Sequence, residues 1–148
     1  MMRVQMLILV VGLFVVHCHA TEIYEDCGSS AEITRLEVTG CKRPPCELRR
    51  GTNVTLAAQF KPKTSVGKLR GEIGGVIRGI KFPFKKDEEV CRHLVKGQCS
   101  SESSEPFLYI AVFGVPAFAP TIRVGAQWTI KNEHGDTVVC VTIPSVIK

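Results

Sequence analysis

The sequence predicts an all-β protein, a β-sandwich of two antiparallel sheets stapled by disulfides. Three observations carry that prediction. Apolar and polar residues alternate with period two over most of the chain, the pattern of half-buried strands. Turn-forming residues interrupt the alternation about every ten residues, the spacing of short sandwich strands. Once an N-terminal leader is set aside, six cysteines remain, an even number in a chain bound for an oxidising compartment.

The leader comes first. Arg3 supplies a positive start, Met6 to Val16 an apolar run of about eleven residues, and Cys18-His19-Ala20 the small residues a signal peptidase reads. Glu22, Glu25 and Asp26 follow at once, so the run stops well short of the roughly 20 residues that span a bilayer. Residues 1–20 are read as a signal peptide rather than a membrane anchor. Residues 21–148 are read as one domain, long enough to bury a substantial core.

The strands follow in order. Ile33 to Val38 is short, and its inward face changes between Ile33 and Leu36, which predicts a bulge. Asn53 to Phe60 points Val54, Leu56, Ala58 and Phe60 inward and Asn53, Thr55 and Gln59 outward. Leu69 to Ile77 is weaker and glycine-rich. Its Gly71, Gly74 and Gly75, with Gly79 beyond, lack the context of a phosphate loop and suit a bulge or a close approach of backbone to ligand. Phe107 to Val115 is apolar on both faces and is read as a central strand. Thr121 to Ile130 places Ile122, Val124, Ala126, Trp128 and Ile130 on one face. Thr137 to Ile143 follows Asn132-Glu133-His134-Gly135-Asp136, a strong hairpin turn. No stretch gives a convincing helix. Cys91 to Glu105 reads as a disulfide-pinned excursion with a polar, flexible end at Ser100 to Ser104.

Loss of the leader removes Cys18 and leaves Cys27, Cys41, Cys46, Cys91, Cys99 and Cys140. Three disulfides are expected, and spacing alone allows fifteen pairings. Cys41 and Cys46 are near enough to close a small loop around Pro44-Pro45, and Cys91 and Cys99 bracket a short basic segment, which would leave Cys27 for Cys140. Neither short pair has the setting of a zinc knuckle, and no metal is expected.

Charge and chemistry narrow the function. The formal charge of +5 becomes +4 when Arg3 leaves with the leader. That balance suits a solvated surface or weak attraction to an anionic membrane. Nucleic acid is not an expected partner, because no basic stripe with interleaved aromatics is present. His93 and His134 are the histidines of the mature chain, and neither has a nucleophile or acid at a catalytic spacing. With the cysteines committed to disulfides, no enzyme and no cofactor is expected. Asn53-Val54-Thr55 is an acceptor for N-glycosylation, and the strand phase turns Asn53 to solvent.

Taken together, the cysteines and their neighbours form a specific set. Asp26-Cys27-Gly28-Ser29 opens the domain, and Cys41-Lys42-Arg43-Pro44-Pro45-Cys46-Glu47-Leu48 leads through Gly51 into the strand ending at Phe60. Phe82-Pro83-Phe84, Cys91, Cys99 and Val115-Pro116 follow, then Pro120-Thr121-Ile122, Trp128 and Cys140-Val141-Thr142-Ile143-Pro144. Over the whole mature chain this resembles the MD-2-related lipid-recognition (ML) family, and within it the Niemann-Pick type C-2 sterol carriers.

The resemblance implies an immunoglobulin-like sandwich whose sheets splay around an apolar cavity, with pairs Cys27–Cys140, Cys41–Cys46 and Cys91–Cys99. It places ligand contacts at Phe84, at Val115 with Pro116, and at Trp128. Phe82 and Phe118 join them as aromatics in proline-containing, loop-like segments that can frame a mouth. The chain departs from the pattern in the order Val115-Pro116, in Val141 after the last cysteine and in Ala119 before Pro120, so a ligand other than cholesterol is open. The expected function is a secreted, non-catalytic, monomeric carrier of a sterol or similar lipid, in extracellular fluid or the endosome–lysosome lumen. It would exchange cargo with a membrane surface, a membrane sterol transporter or a receptor. The rival readings are a glycolipid-recognition module of innate immunity with a basic rim at Lys85, Lys86, Arg92 and Lys96, a carrier of fatty acids or semiochemicals, and a structural or inhibitory sandwich with a filled core.

Overall fold

The structure, a computed structural model, describes residues 22–100 and 105–148. The signal-peptide reading and most of the polar stretch at Ser100 to Ser104 therefore lie outside the described residues. The elements are β1 Glu25–Asp26, β2 Glu32–Val38, β3 Cys46–Leu48, β4 Asn53–Lys61, β5 Leu69–Ile77, β6 Ile80–Asp87, α1 Val90–His93, β7 Leu94–Lys96, β8 Phe107–Gly114, β9 Arg123–Asn132 and β10 Thr137–Ile147. A six-stranded sheet runs β1-β10-β9-β5-β6, with β3 also paired to β10, and a four-stranded sheet runs β2-β4-β8-β7. Pairing is antiparallel except for β3 against β10, which is parallel.

The two layers form because period-two strands present one apolar face each. From β4 come Val54, Leu56, Ala58 and Phe60, from β8 Phe107, Tyr109, Ala111 and Phe113, and from β9 Val124, Ala126, Trp128 and Ile130; all are buried. Their centre is aromatic. Phe60 meets Phe107 and Trp128 edge-on at 5.7 and 6.0 Å, and Tyr109 stacks on Trp128 at 5.9 Å with 3° between the planes. Such pairs add to the area they bury, about 0.5–1.5 kcal/mol each.

The bulge in β2 falls between Ile33 and Arg35, where the sequence places it. The β9–β10 turn closes on Asn132, whose Oδ1 accepts from the N–H groups of His134 and Asp136. All three expected disulfides are present: Cys27–Cys140 ties the first strand to the last, Cys41–Cys46 closes the loop before β3, and Cys91–Cys99 pins α1 to the segment after β7.

Three expectations need correction. Ile110 and Val112 on the outer face of β8 are exposed, so this strand is central in its sheet yet covered on one face only; a two-layer sandwich has nothing to cover the other. Phe82 and Phe84 lie in a regular strand, β6, rather than a loop. Pro83 is tolerated there because β6 is an edge strand with a register shift at Ile73/Gly74. A helical turn, α1, follows that strand where no helix is expected. The expected sandwich of two antiparallel sheets is present, with the three-residue β3 entering beside β10 in parallel.

Candidate functional site

Between the sheets lies an apolar cavity lined by Val38, Leu56 and Phe113 from one sheet and Ile73, Ala126, Trp128 and Ile143 from the other. Leu48 and Ser145 complete the end near β3. Its free volume is about 10 Å³, room for roughly one water-sized sphere, whereas small-molecule sites run to about 300–1,000 Å³. A lipid therefore enters only if the sheets part.

The geometry shows where they can part. The edge strand β6 of the larger sheet and the part of β8 beyond β7 belong to different sheets with no ladder between them. Two side-chain links cross that gap. Lys85 Nζ donates to the Val112 carbonyl at 2.6 Å, and the Tyr109 hydroxyl donates to Asp87 Oδ2 at 2.8 Å. Asp87 Oδ2 also meets His93 Nδ1 at 2.8 Å, and Oδ1 accepts from the Glu89 N–H at 2.9 Å. Burial pushes the Asp87 carboxyl up, but the bonds from His93, Glu89 and Tyr109 outweigh it and hold it below the usual carboxylate range. Burial, and then the Asp87 bond, push the Tyr109 phenol up, so it stays a donor. The latch is charge-assisted and reaches through Tyr109 to the Trp128 ring at the cavity wall.

Phe84 stands beside this gap. A methyl group built on Gly75 of β5 would lie 2.9 Å from Phe84 Cζ and 2.9 Å from Val124 Cγ2. The Phe84 ring thus occupies the space over Gly75 on the inward face, where Val124 and Ala126 are its neighbours in β9. It remains 38% exposed, with Phe82 at 47% and Ile80 at 61% along the same edge. Val115 is buried and fixed by two backbone bonds, its N–H to Thr52 and its carbonyl from Gly51. Pro116 begins a turn closed by the Ala119 N–H, and Phe118 projects from it 91% exposed. Of the six ligand residues expected, Trp128 borders the cavity, Phe84 covers its edge, Val115 and Pro116 form the crossing between sheets, and Phe82 and Phe118 face solvent. The basic rim does not assemble. Lys85 is bound to Val112, Arg92 pairs with Glu89 at 3.0 Å, and Lys86 lines an outer polar hollow with Arg70, Glu72 and Lys131.

Sequence reasoning missed the Asp87–Tyr109–His93 link, since a hydrogen bond between strands of different sheets leaves no periodic signal. Ile73 and Phe113 line the cavity, and nothing in their strands' sequence singles them out as its walls.

The comparisons with known proteins decide the family. A sequence model of the ML domain matches residues 22–147. The chain belongs to the ML-domain family. Among relatives of the ML-domain chain, NPC intracellular cholesterol transporter 2 homolog a of Drosophila melanogaster is 28% identical over 130 residues, covering 84% of this chain and 86% of its own. The ecdysteroid-regulated 16 kDa protein of Manduca sexta is 30% identical over 131 residues, covering 85% and 88%. The crystal structure of a Niemann-Pick type C2 protein from Japanese carpenter ant superposes with a TM-score of 0.74 at 23% identity, over 86% of this chain and all of that one. This ML domain thus shares that sandwich.

Proposed function

We propose that this ML-domain protein is a non-catalytic carrier of an apolar lipid, a sterol or a fatty compound of similar girth. The observation that carries the reading is the apolar cavity beside an edge held shut by side chains alone. Breaking the β6–β8 links costs two hydrogen bonds rather than a strand ladder, and it opens a path past Phe84 to Trp128. The names of the relatives, cholesterol transporters among them, support the same ligand class. Apolar surface removed from water drives binding at roughly 25 cal/mol per Å². We further assign the protein to the secretory route and to exchange of its cargo with a membrane surface, a membrane sterol transporter or a receptor. The scattered rim cations favour this over the glycolipid-recognition reading.

Titration with a fluorescent sterol and a fluorescent fatty acid tests the proposal. Saturable one-to-one binding of either probe, displaced by the unlabelled lipid, is the expected result. No saturable binding of either would overturn it.

A further inference from the structure

The cavity wall carries one polar group whose purpose the apolar reading leaves open. Trp128 is 1% exposed, and its Nε1–H meets no acceptor among the described residues. Its ring is held firmly: Tyr109 stacks on one face and Phe60 meets it edge-on. Holding the ring in this way stops the N–H from turning to seek a partner. The other polar side chains among the lining residues are satisfied: the Ser145 hydroxyl donates to the Ile143 carbonyl at 2.9 Å, and Gln127 Nε2 donates to Thr142 Oγ1 at 3.5 Å. A buried donor without an acceptor is a standing cost to the fold. Ligand sites place such groups sparsely on apolar walls, where they orient the ligand.

We propose that the Trp128 indole N–H donates a hydrogen bond to an oxygen atom of the bound lipid. The cavity would then select lipids that carry a carbonyl or hydroxyl oxygen on the inserted part over hydrocarbons of the same shape. The inference rests on the carrier reading and adds a substrate class to it. Trp128 pairs with Ile73, and Gly75 beneath the Phe84 ring pairs with Ala126. The recognised oxygen therefore sits two residues, ~7 Å along the strand, inward of the mouth phenylalanine. A hydrogen bond that pairs a buried donor separates the oxygenated lipid from its hydrocarbon by about 5- to 15-fold in Kd.

The chain contains a single tryptophan, so its indole N–H gives one resonance that needs no assignment. The experiment uses the ¹⁵N-labelled secreted protein with two sets of probes. One set is heptadecane with its 2-, 5- and 9-ketones, and the other is cholesterol with cholest-5-ene, which lacks the hydroxyl. At least one oxygenated probe should bind about 5- to 15-fold tighter than its hydrocarbon and move the indole proton downfield, which the hydrocarbon does not. Trp128→Phe should erase that difference, lowering the affinity for the oxygenated probe by about 5- to 15-fold more than the affinity for its hydrocarbon. Equal binding within each set, or an indole proton that answers hydrocarbon and oxygenated probes alike, would overturn the inference and leave the carrier reading standing. Failure of every probe to bind overturns the carrier reading itself.

Discussion

Gly75→Ala puts the placement of Phe84 at risk most directly. The added methyl would sit 2.9 Å from Phe84 Cζ, 3.1 Å from Phe84 Cε2 and 2.9 Å from Val124 Cγ2, where carbon contacts prefer about 3.5–4.0 Å. Something must therefore shift by roughly 0.6–1 Å to restore that spacing. Val124 is buried and β-branched, with little rotamer freedom, so the half-exposed Phe84 ring moves. Overpacking of this kind costs about 1–3 kcal/mol, and a domain of this size loses about 3–6 °C in Tm for each kcal/mol. Phe84→Ala in the same chain supplies the control. The double variant should be more stable than the sum of the singles allows, by about 0.5–3 kcal/mol, because the clash is gone. The cycle cancels the opposing backbone gain of Gly→Ala, about 0.4–1 kcal/mol. Calorimetry of the four proteins, with a fluorescent-sterol titration of each, completes the assay. Gly75→Ala alone should also weaken sterol uptake, since the displaced ring stands in the entry path. Strictly additive melting costs would refute the placement of Phe84 over Gly75.

Other outcomes follow from the latch, the disulfides and the outer face. Asp87 and Asp26 both have carboxyls held below their usual range, Asp26 by bonds from Gly28 and Ser29 that outweigh its burial. Their stabilisation is present above the ordinary carboxylate range and disappears as pH falls through the depressed values. Urea midpoints should therefore fall below about pH 5, and less steeply in Asp87→Asn; an identical slope in that variant removes Asp87 from the latch. Tyr109→Phe should cost about 1 kcal/mol and speed lipid uptake in stopped flow, whereas slower uptake would contradict a latch. The protein made through a eukaryotic secretory pathway should take up no alkylating reagent under denaturing, non-reducing conditions, and one equivalent of label would break the disulfide framework. Asn53 is exposed at the start of β4, opposite Gly114 and next to the pair Thr55–Val112 on the outer face. Asn53→Gln should lower the mass by one glycan, leave lipid binding intact and raise aggregation through bare Ile110 and Val112; an unchanged mass would show the site unused.

The fold was legible where a local rule decides it. Alternation placed β4 and β9, a continuous apolar run placed β8, the face change at Ile33 placed the bulge in β2, and the turn at Asn132 to Asp136 with the β-branched run after it placed β10. Disulfide partners came from proximity and resemblance together. The short strands β1, β3 and β7 were not legible, since two or three residues carry no period and form only because β10 and β8 offer free edges. Proline misled at β6, where Pro83 suggested a loop although edge position and a register shift make room for it. The apolar outer face of β8 misled too, because sequence shows that Ile110 and Val112 are apolar but not how many layers cover them. For the site, inward phase marked Trp128 only as a buried residue, and the resemblance, not the strand pattern, put Trp128 and Phe84 forward as ligand contacts. The Asp87–Tyr109 link and the small volume of the cavity depend on how the two sheets sit against each other, which no single strand encodes.

The central claim is that a lipid occupies the space between the sheets. Native mass spectrometry of the protein expressed through a eukaryotic secretory pathway, followed by solvent extraction and identification of what leaves it, tests that claim most directly. The account predicts one equivalent of an apolar lipid of a few hundred daltons, released when the sheets unfold and reduced in the Phe84→Ala protein. A protein recovered at its bare polypeptide-plus-glycan mass, which also takes up neither added sterol nor fatty acid, would contradict it.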